Sequence, residues 1–112
     1  MLAAAPSAAE GQKAFQRCYA CHSVDPKEQG LQGPNLAGVV GRRAATQRGF
    51  DYSPAMRQAG ARGLVWSEAA LDRFMADPDA VVPGSTMFIP ATRSPRERQA
   101  VIAYLKSRGR PK

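Results

Sequence analysis

Two cysteines stand two residues apart in Cys18-Tyr19-Ala20-Cys21, and the chain's single histidine, His22, follows at once. Two thiols and an imidazole at that spacing admit several chemistries. A reactive dithiol has the same cysteine spacing, with the first thiol near the start of a helix. Here Cys18 ends a predicted helix, and no strand with a parallel-sheet pattern precedes it. A structural zinc ion takes four ligands in a tetrahedron; this cluster offers fewer, and no second cluster exists to complete it. The pattern is also that of c-type haem attachment. Each thiol adds to one vinyl group of the ring, and His22 places an imidazole nitrogen on the iron. That reading uses both cysteines and the only histidine, so one covalently bound haem c is the expected cofactor.

An iron that only carries electrons has a protein ligand on each axial face, and no second histidine is present. A methionine thioether is the natural partner: it is a soft ligand, and Met/His ligation raises the reduction potential. Met75 shares helical spacing with Leu71 and Phe74, which is a packing position. Met56 falls in a short polar segment, at the surface or at a haem edge. Met87 lies in Pro83-Gly84-Ser85-Thr86-Met87-Phe88-Ile89-Pro90, whose prolines restrict the backbone and would hold a weak ligand in place. Met87 is therefore the expected second ligand. The plainer alternative is a loop methionine tucked into the core, with water or nothing on the iron.

The elements that must position these groups are helical. Ser7 with Glu10 forms a capping box, and Ala8, Gly11, Ala14, Phe15 and Cys18 recur at helical spacing, so a first helix is predicted over about 8–18. Residues 23–49 dissolve into turn signals at Asp25-Pro26, Gly30, Gly33-Pro34, Gly38, Gly41 and Gly49, without strand alternation. Ser53-Pro54 opens a short helix ending near Gly60. Ser67 caps another through about Asp77, with Leu71, Phe74 and Met75 on one side, before Pro78 stops it. Residues 79–92 read as loop. Ser94-Pro95-Arg96-Glu97 then opens a last helix to about Ser107, whose core side is marked by Val101, Tyr104, Leu105 and the aliphatic part of Arg108. The fold class is all-α.

The 112 residues fit one domain. Aromatic residues make up only 7%, so the core is thin and a buried prosthetic group would add apolar area to it. The formal charge of +7 favours acidic partners. Nucleic acid is a poor match, because no helix joins a basic face to base-reading organisation. No stretch approaches the roughly 18 apolar residues of a membrane span. The Ala-rich opening lacks a basic region and is short for a signal peptide. It reads as residues 1–9, an N-terminal extension, before a haem domain over 10–108 and a tail over 109–112.

Taken in order, these features resemble class I cytochrome c, in its mitochondrial-type branch and bacterial counterparts. The resemblance runs from Gly11 to Leu105. It comprises Gly11 and Phe15; Cys18, Cys21 and His22; Gly33-Pro34-Asn35-Leu36; and Gly41-Arg42. It continues through Gly49-Phe50-Asp51-Tyr52-Ser53, Trp66, the Pro83 to Met87 loop and Ile102-Ala103-Tyr104-Leu105. It implies a small fold whose first and last helices cross where Gly11 and Phe15 meet Tyr104. It implies that the Pro34 carbonyl receives the ring hydrogen bond of His22, and that Arg42, Tyr52, Trp66 and Ser85 hydrogen-bond the haem propionates. Read without the family, Arg42 belongs to a solvated Arg42-Arg43 pair, Trp66 is a core aromatic and Tyr52 packs in its loop.

The chain departs from the family at several positions. Phe74 replaces a usual Tyr whose hydroxyl approaches the methionine sulfur, Met56 replaces a haem-pocket Asn, and Thr86 replaces a Lys of the basic docking rim. A few residues are added between Ser53 and Trp66. Lys13, Arg17 and Lys27, with Arg48 and Arg93 less securely placed, remain to ring a haem edge.

The function expected on this reading is one-electron transfer without bond-making chemistry, by a monomer and not an enzyme. The partners implied are acidic redox proteins such as a membrane cytochrome complex, a terminal oxidase or a reductase, in the bacterial periplasm first and the mitochondrial intermembrane space second. The competing readings are the cytochrome module of a larger oxidoreductase, and a peroxidase or small-gas-binding protein with a labile sixth ligand.

Overall fold

In the computed structural model, which describes residues 6–15, 22, 24, 35–47, 50–84 and 94–108, serine side chains open the longer helices. Ser7, Ser53, Ser67 and Ser94 each accept a hydrogen bond through Oγ from the backbone N–H three residues on, at 3.1, 3.2, 3.1 and 3.4 Å. Each bond satisfies one of the N–H groups that a helix start leaves without an intrahelical partner. The helices in chain order are α1 (Ala8–Phe15), α2 (Pro54–Ala61), α3 (Glu68–Ala76), α4 (Pro78–Val81) and α5 (Pro95–Ser107). The β-structure among the described residues is an isolated antiparallel bridge between Arg43 and Val65.

Two expectations need correction. Residues 79–92 do not begin as loop, because Pro78 ends α3 and also starts α4. Proline lacks the N–H that α3 would need, yet its fixed φ suits the first position of a new helix. Asp77 stands extended between the two helices (φ −156°, ψ 90°) and makes no side-chain cap. Arg108 does not extend the inner face of α5: its side chain is exposed, and its backbone carbonyl accepts from the Gly38 N–H at 3.0 Å. That inner face is broader than the predicted stripe, since Ala100 and Ile102 are buried beside Val101, Tyr104 and Leu105. The cause is that α5 packs against both α1 and α3. The predicted end of α1, residues 16–18, lies outside the described residues.

The α1/α5 contact depends on Gly11. A β-carbon there would meet the Ala100 carbonyl oxygen and the Tyr104 β-carbon, so only glycine lets the two backbones come this close. One turn on, the Phe15 and Tyr104 rings sit 5.5 Å apart and tilted by 53°, and Phe15 is only 1% exposed. Full burial of such a side chain contributes about 1.5–3 kcal/mol. Arg96 and Glu10 pair across the same seam at 3.0 Å. On the other flank Arg98 reaches Asp72 at 2.8 Å and Lys106 reaches Glu68 at 3.1 Å, joining α5 to α3. Leu71, Phe74 and Met75 face inward from α3 as predicted, and Val82 just after α4 is wholly buried.

Candidate haem site

The Arg43–Val65 bridge organises the wall that carries three of the predicted site residues. Gly41 N–H donates to the Trp66 carbonyl, Trp66 N–H to the Arg42 carbonyl and Ala44 N–H to the Leu64 carbonyl, each at 2.8 Å. Gly41 takes φ +86°, a turn that side-chain-bearing residues resist. In extended chain, successive side chains point to opposite faces. Arg43 and Val65 accordingly face solvent, Val65 being 44% exposed. Arg42 and Trp66 turn inward, half-buried and 7% exposed respectively. The adjacent arginines are thus not an equivalent solvated pair. Arg43 Nε reaches over the surface to the Gly60 carbonyl at 2.9 Å.

The Arg42 guanidinium is held by neutral acceptors. Nη1 donates to the Ala37 carbonyl at 3.1 Å and to Gln47 Oε1 at 2.8 Å, and Nη2 donates to the Asn35 carbonyl at 3.1 Å. Asn35 is itself buried, and its Oδ1 accepts from the Ala37 N–H at 2.8 Å, which shapes the turn that presents those carbonyls. The backbone N–H of Gln47 donates to the Tyr52 hydroxyl oxygen at 3.1 Å. One residue therefore ties Arg42 to Tyr52. The Tyr52 ring is also held edge-on by Phe50, with centroids 4.9 Å apart. Burial lowers the Arg42 pKa, an effect the neighbouring Tyr52 partly opposes. Burial raises the Tyr52 pKa, against the opposing pull of the Gln47 N–H and the Arg42 charge.

These side chains leave donors over. A guanidinium has five N–H groups, and those of Arg42 meet no carboxylate among the described residues. The Tyr52 hydroxyl accepts from Gln47, which leaves its proton to donate. The buried Trp66 ring packs edge-on against Phe74, centroids 5.0 Å apart, and its indole N–H meets no acceptor among the described residues. A half-buried cation and two neutral donors on one wall suit an anionic group such as a carboxylate, which accepts through both oxygens. The two propionates of a haem have that chemistry. Together with the two thiols and imidazole of Cys18, Cys21 and His22, the donor set fits haem c.

His22 is half-buried. Cys18, Cys21, Pro34, Ser85 and Met87 lie outside the described residues. Of the methionines weighed against Met87, Met75 is 6% exposed and belongs to the core, and Met56 packs against that core while half-buried. Sequence reasoning missed the part played by Gln47. No local signal could have found it, since it lies in an aperiodic loop and both of its partners are five residues away.

A sequence profile of the family described as Cytochrome c matches residues 8–109. Cytochrome c2 iso-2 of Magnetospirillum fulvum is 44% identical over 99 residues, which span 88% of this chain and 99% of that protein. Among solved structures, cytochrome c2 from Rhodospirillum centenum superimposes with a TM-score of 0.86 at 34% identity, covering 93% of this chain and 99% of that one. Cytochrome cH from Methylobacterium extorquens superimposes with a TM-score of 0.80 at 40% identity, covering 90% and 98%.

Proposed function

The chain belongs to the cytochrome c family, as a one-electron carrier with one covalently bound haem c, and we propose that the residues of this site hold that haem with His22 and Met87 on the iron. In this reading Cys18 and Cys21 form the thioether links. The Pro34 carbonyl accepts the His22 ring N–H and orients the imidazole. Arg42, Tyr52, Trp66 and Ser85 donate to the propionates. The observation that carries the reading is the inward-facing Arg42, half-buried and without a carboxylate partner among the described residues, beside the unclaimed Trp66 and Tyr52 donors.

Bound haem supplies an iron that alternates between ferric and ferrous forms. The protein's part is to keep its ligands and charges still while the charge of the centre changes by one unit. Neutral carbonyls anchor Arg42 and a backbone N–H anchors Tyr52, so the wall does not rearrange when an electron arrives. Apolar contact from Trp66 and Phe74 excludes water behind it.

The working partners in this proposal are acidic redox proteins met briefly in the bacterial periplasm: a membrane cytochrome complex, a terminal oxidase or a reductase. The net charge of +7 supports an electrostatically assisted encounter. Of the cations expected around the haem edge, Lys13 is exposed, and Arg17, Lys27, Arg48 and Arg93 lie outside the described residues. No helix among the described residues is long and apolar enough to cross a membrane.

The test is an absorption spectrum of natively matured protein, oxidised and dithionite-reduced. Low-spin bands with the weak far-red band of iron–thioether ligation are expected, and Met87→Ala should abolish that far-red band. A high-spin parent spectrum that binds carbon monoxide avidly would remove Met87 from the iron and favour gas-binding or peroxidase chemistry.

A further inference from the structure

Among the described residues, Gln47 supplies the one acceptor of the Arg42 guanidinium that belongs to a side chain; the other two are the backbone carbonyls of Ala37 and Asn35. Its Oε1 bond to Nη1, at 2.8 Å, is the shortest of the three. Its backbone N–H meanwhile fixes the hydroxyl oxygen of Tyr52 at 3.1 Å. Gln47 is therefore the hinge between two donors of the same wall.

The amide is also informative by its neutrality. A glutamate here would pair with Arg42 through a charge-assisted bond, and the guanidinium's charge would be compensated within the protein. An amide oxygen orients the guanidinium by a hydrogen bond and leaves its full charge in place. In a half-buried setting such a charge acts at longer range than it would in water.

We propose that Gln47 is a positioning residue for electron transfer: it aims Arg42 at the haem propionate without pairing the guanidinium with a carboxylate from the described residues, and so helps set the reduction potential. The proposal rests on the assignment of Arg42 to a propionate. Positive charge near the iron favours the ferrous form, which carries one positive charge less. Compensating that charge, or releasing the guanidinium to solvent, should therefore lower the potential.

The experiment is an equilibrium redox titration of the holoprotein at neutral pH for the parent, Gln47→Glu, Gln47→Leu and Arg42→Leu. Gln47→Glu is expected to shift the ferric/ferrous equilibrium by on the order of tenfold toward ferric, about 59 mV for a one-electron couple. Gln47→Leu should shift it in the same direction by less, because that variant frees the charge without cancelling it. The far-red ligation band should be unchanged in both, which separates an electrostatic effect from loss of an axial ligand. If both Gln47 variants keep the parent potential while Arg42→Leu lowers it, the positioning role is overturned and the Arg42 assignment stands. If none of the three moves the potential, the assignment of Arg42 to the propionate falls with it.

Discussion

A β-carbon placed on Gly11 would stand 1.8 Å from the carbonyl oxygen of Ala100. No rotamer change relieves that overlap, because the obstructing atom is backbone, and the Tyr104 β-carbon blocks a second direction at 2.7 Å. The terminal helices touch main chain to main chain.

Gly11→Ala should therefore destabilise the holoprotein even though alanine is the better helix former by about 1 kcal/mol. Relief requires α1 to lift from α5, which loosens Phe15 against Tyr104. A net loss of about 1–3 kcal/mol is expected, read as a lower guanidinium midpoint. An unchanged or higher midpoint would mean that the helices do not meet at this contact.

The two ion pairs between α5 and α3 should differ in worth. Arg98 is 12% exposed and its partner Asp72 39%, whereas Lys106 and Glu68 are 53% and 58% exposed. Asp72→Ala leaves a largely buried guanidinium short of one partner, at a cost of about 1–3 kcal/mol. Glu68→Ala opens a pair that water already screens, and should cost at most about 1 kcal/mol. Urea unfolding of the two variants side by side checks the ranking.

Loss of a cap should be visible at Ser67. Its Oγ accepts from Ala70 N–H and opens α3, the helix that carries Leu71, Phe74 and Met75 into the core. Ser67→Ala should cost about 1 kcal/mol, and Ser67→Asp, which restores an acceptor, should recover most of it.

Alkaline pH should weaken the fold in part through Tyr52. Burial raises its folded-state pKa, so in the window above the unfolded value of about 10 the folded chain keeps a proton that the unfolded chain has lost. The folded state then binds more protons, and stability falls as pH rises through that window. Tyr52→Phe removes this contribution, so the stability of that variant should fall less steeply across the same pH range. Denaturant titrations from neutral pH to pH 11 test it; identical slopes would show that the phenol is not held neutral by the fold.

Reduction of an acidic redox protein by the ferrous holoprotein should slow as salt is raised, most steeply up to about 0.1 M, where the screening length falls to about 10 Å. Stopped-flow rates independent of ionic strength would rule out steering by the net charge of +7.

Much of this architecture was legible because it rests on short-range chemistry. Ser7, Ser53, Ser67 and Ser94 each announce a helix within four residues, and Leu71, Phe74 and Met75 announce its inner face. The attachment motif around His22 is likewise local. What escaped depends on neighbours remote in sequence or on loops without period. Pro78 reads as a stop until α4 is seen to begin on it. Ala100 and Ile102 look peripheral until α1 and α3 close on both flanks of α5. The inward turn of Arg42, and not of Arg43, follows from a single bridge to Val65, which no alternating strand pattern foreshadows.

The bond from Gly38 N–H to the Arg108 carbonyl, at 3.0 Å, clips the turn that precedes Arg42 to the first residue after α5. Fraying at the foot of α5 must therefore release the segment that presents the Asn35 and Ala37 carbonyls to the guanidinium. Local unfolding of the terminal helix and relaxation of the charged wall become one cooperative event. In hydrogen exchange, the Gly38 amide should be protected to the level of the last turn of α5, well above that of an ordinary surface turn.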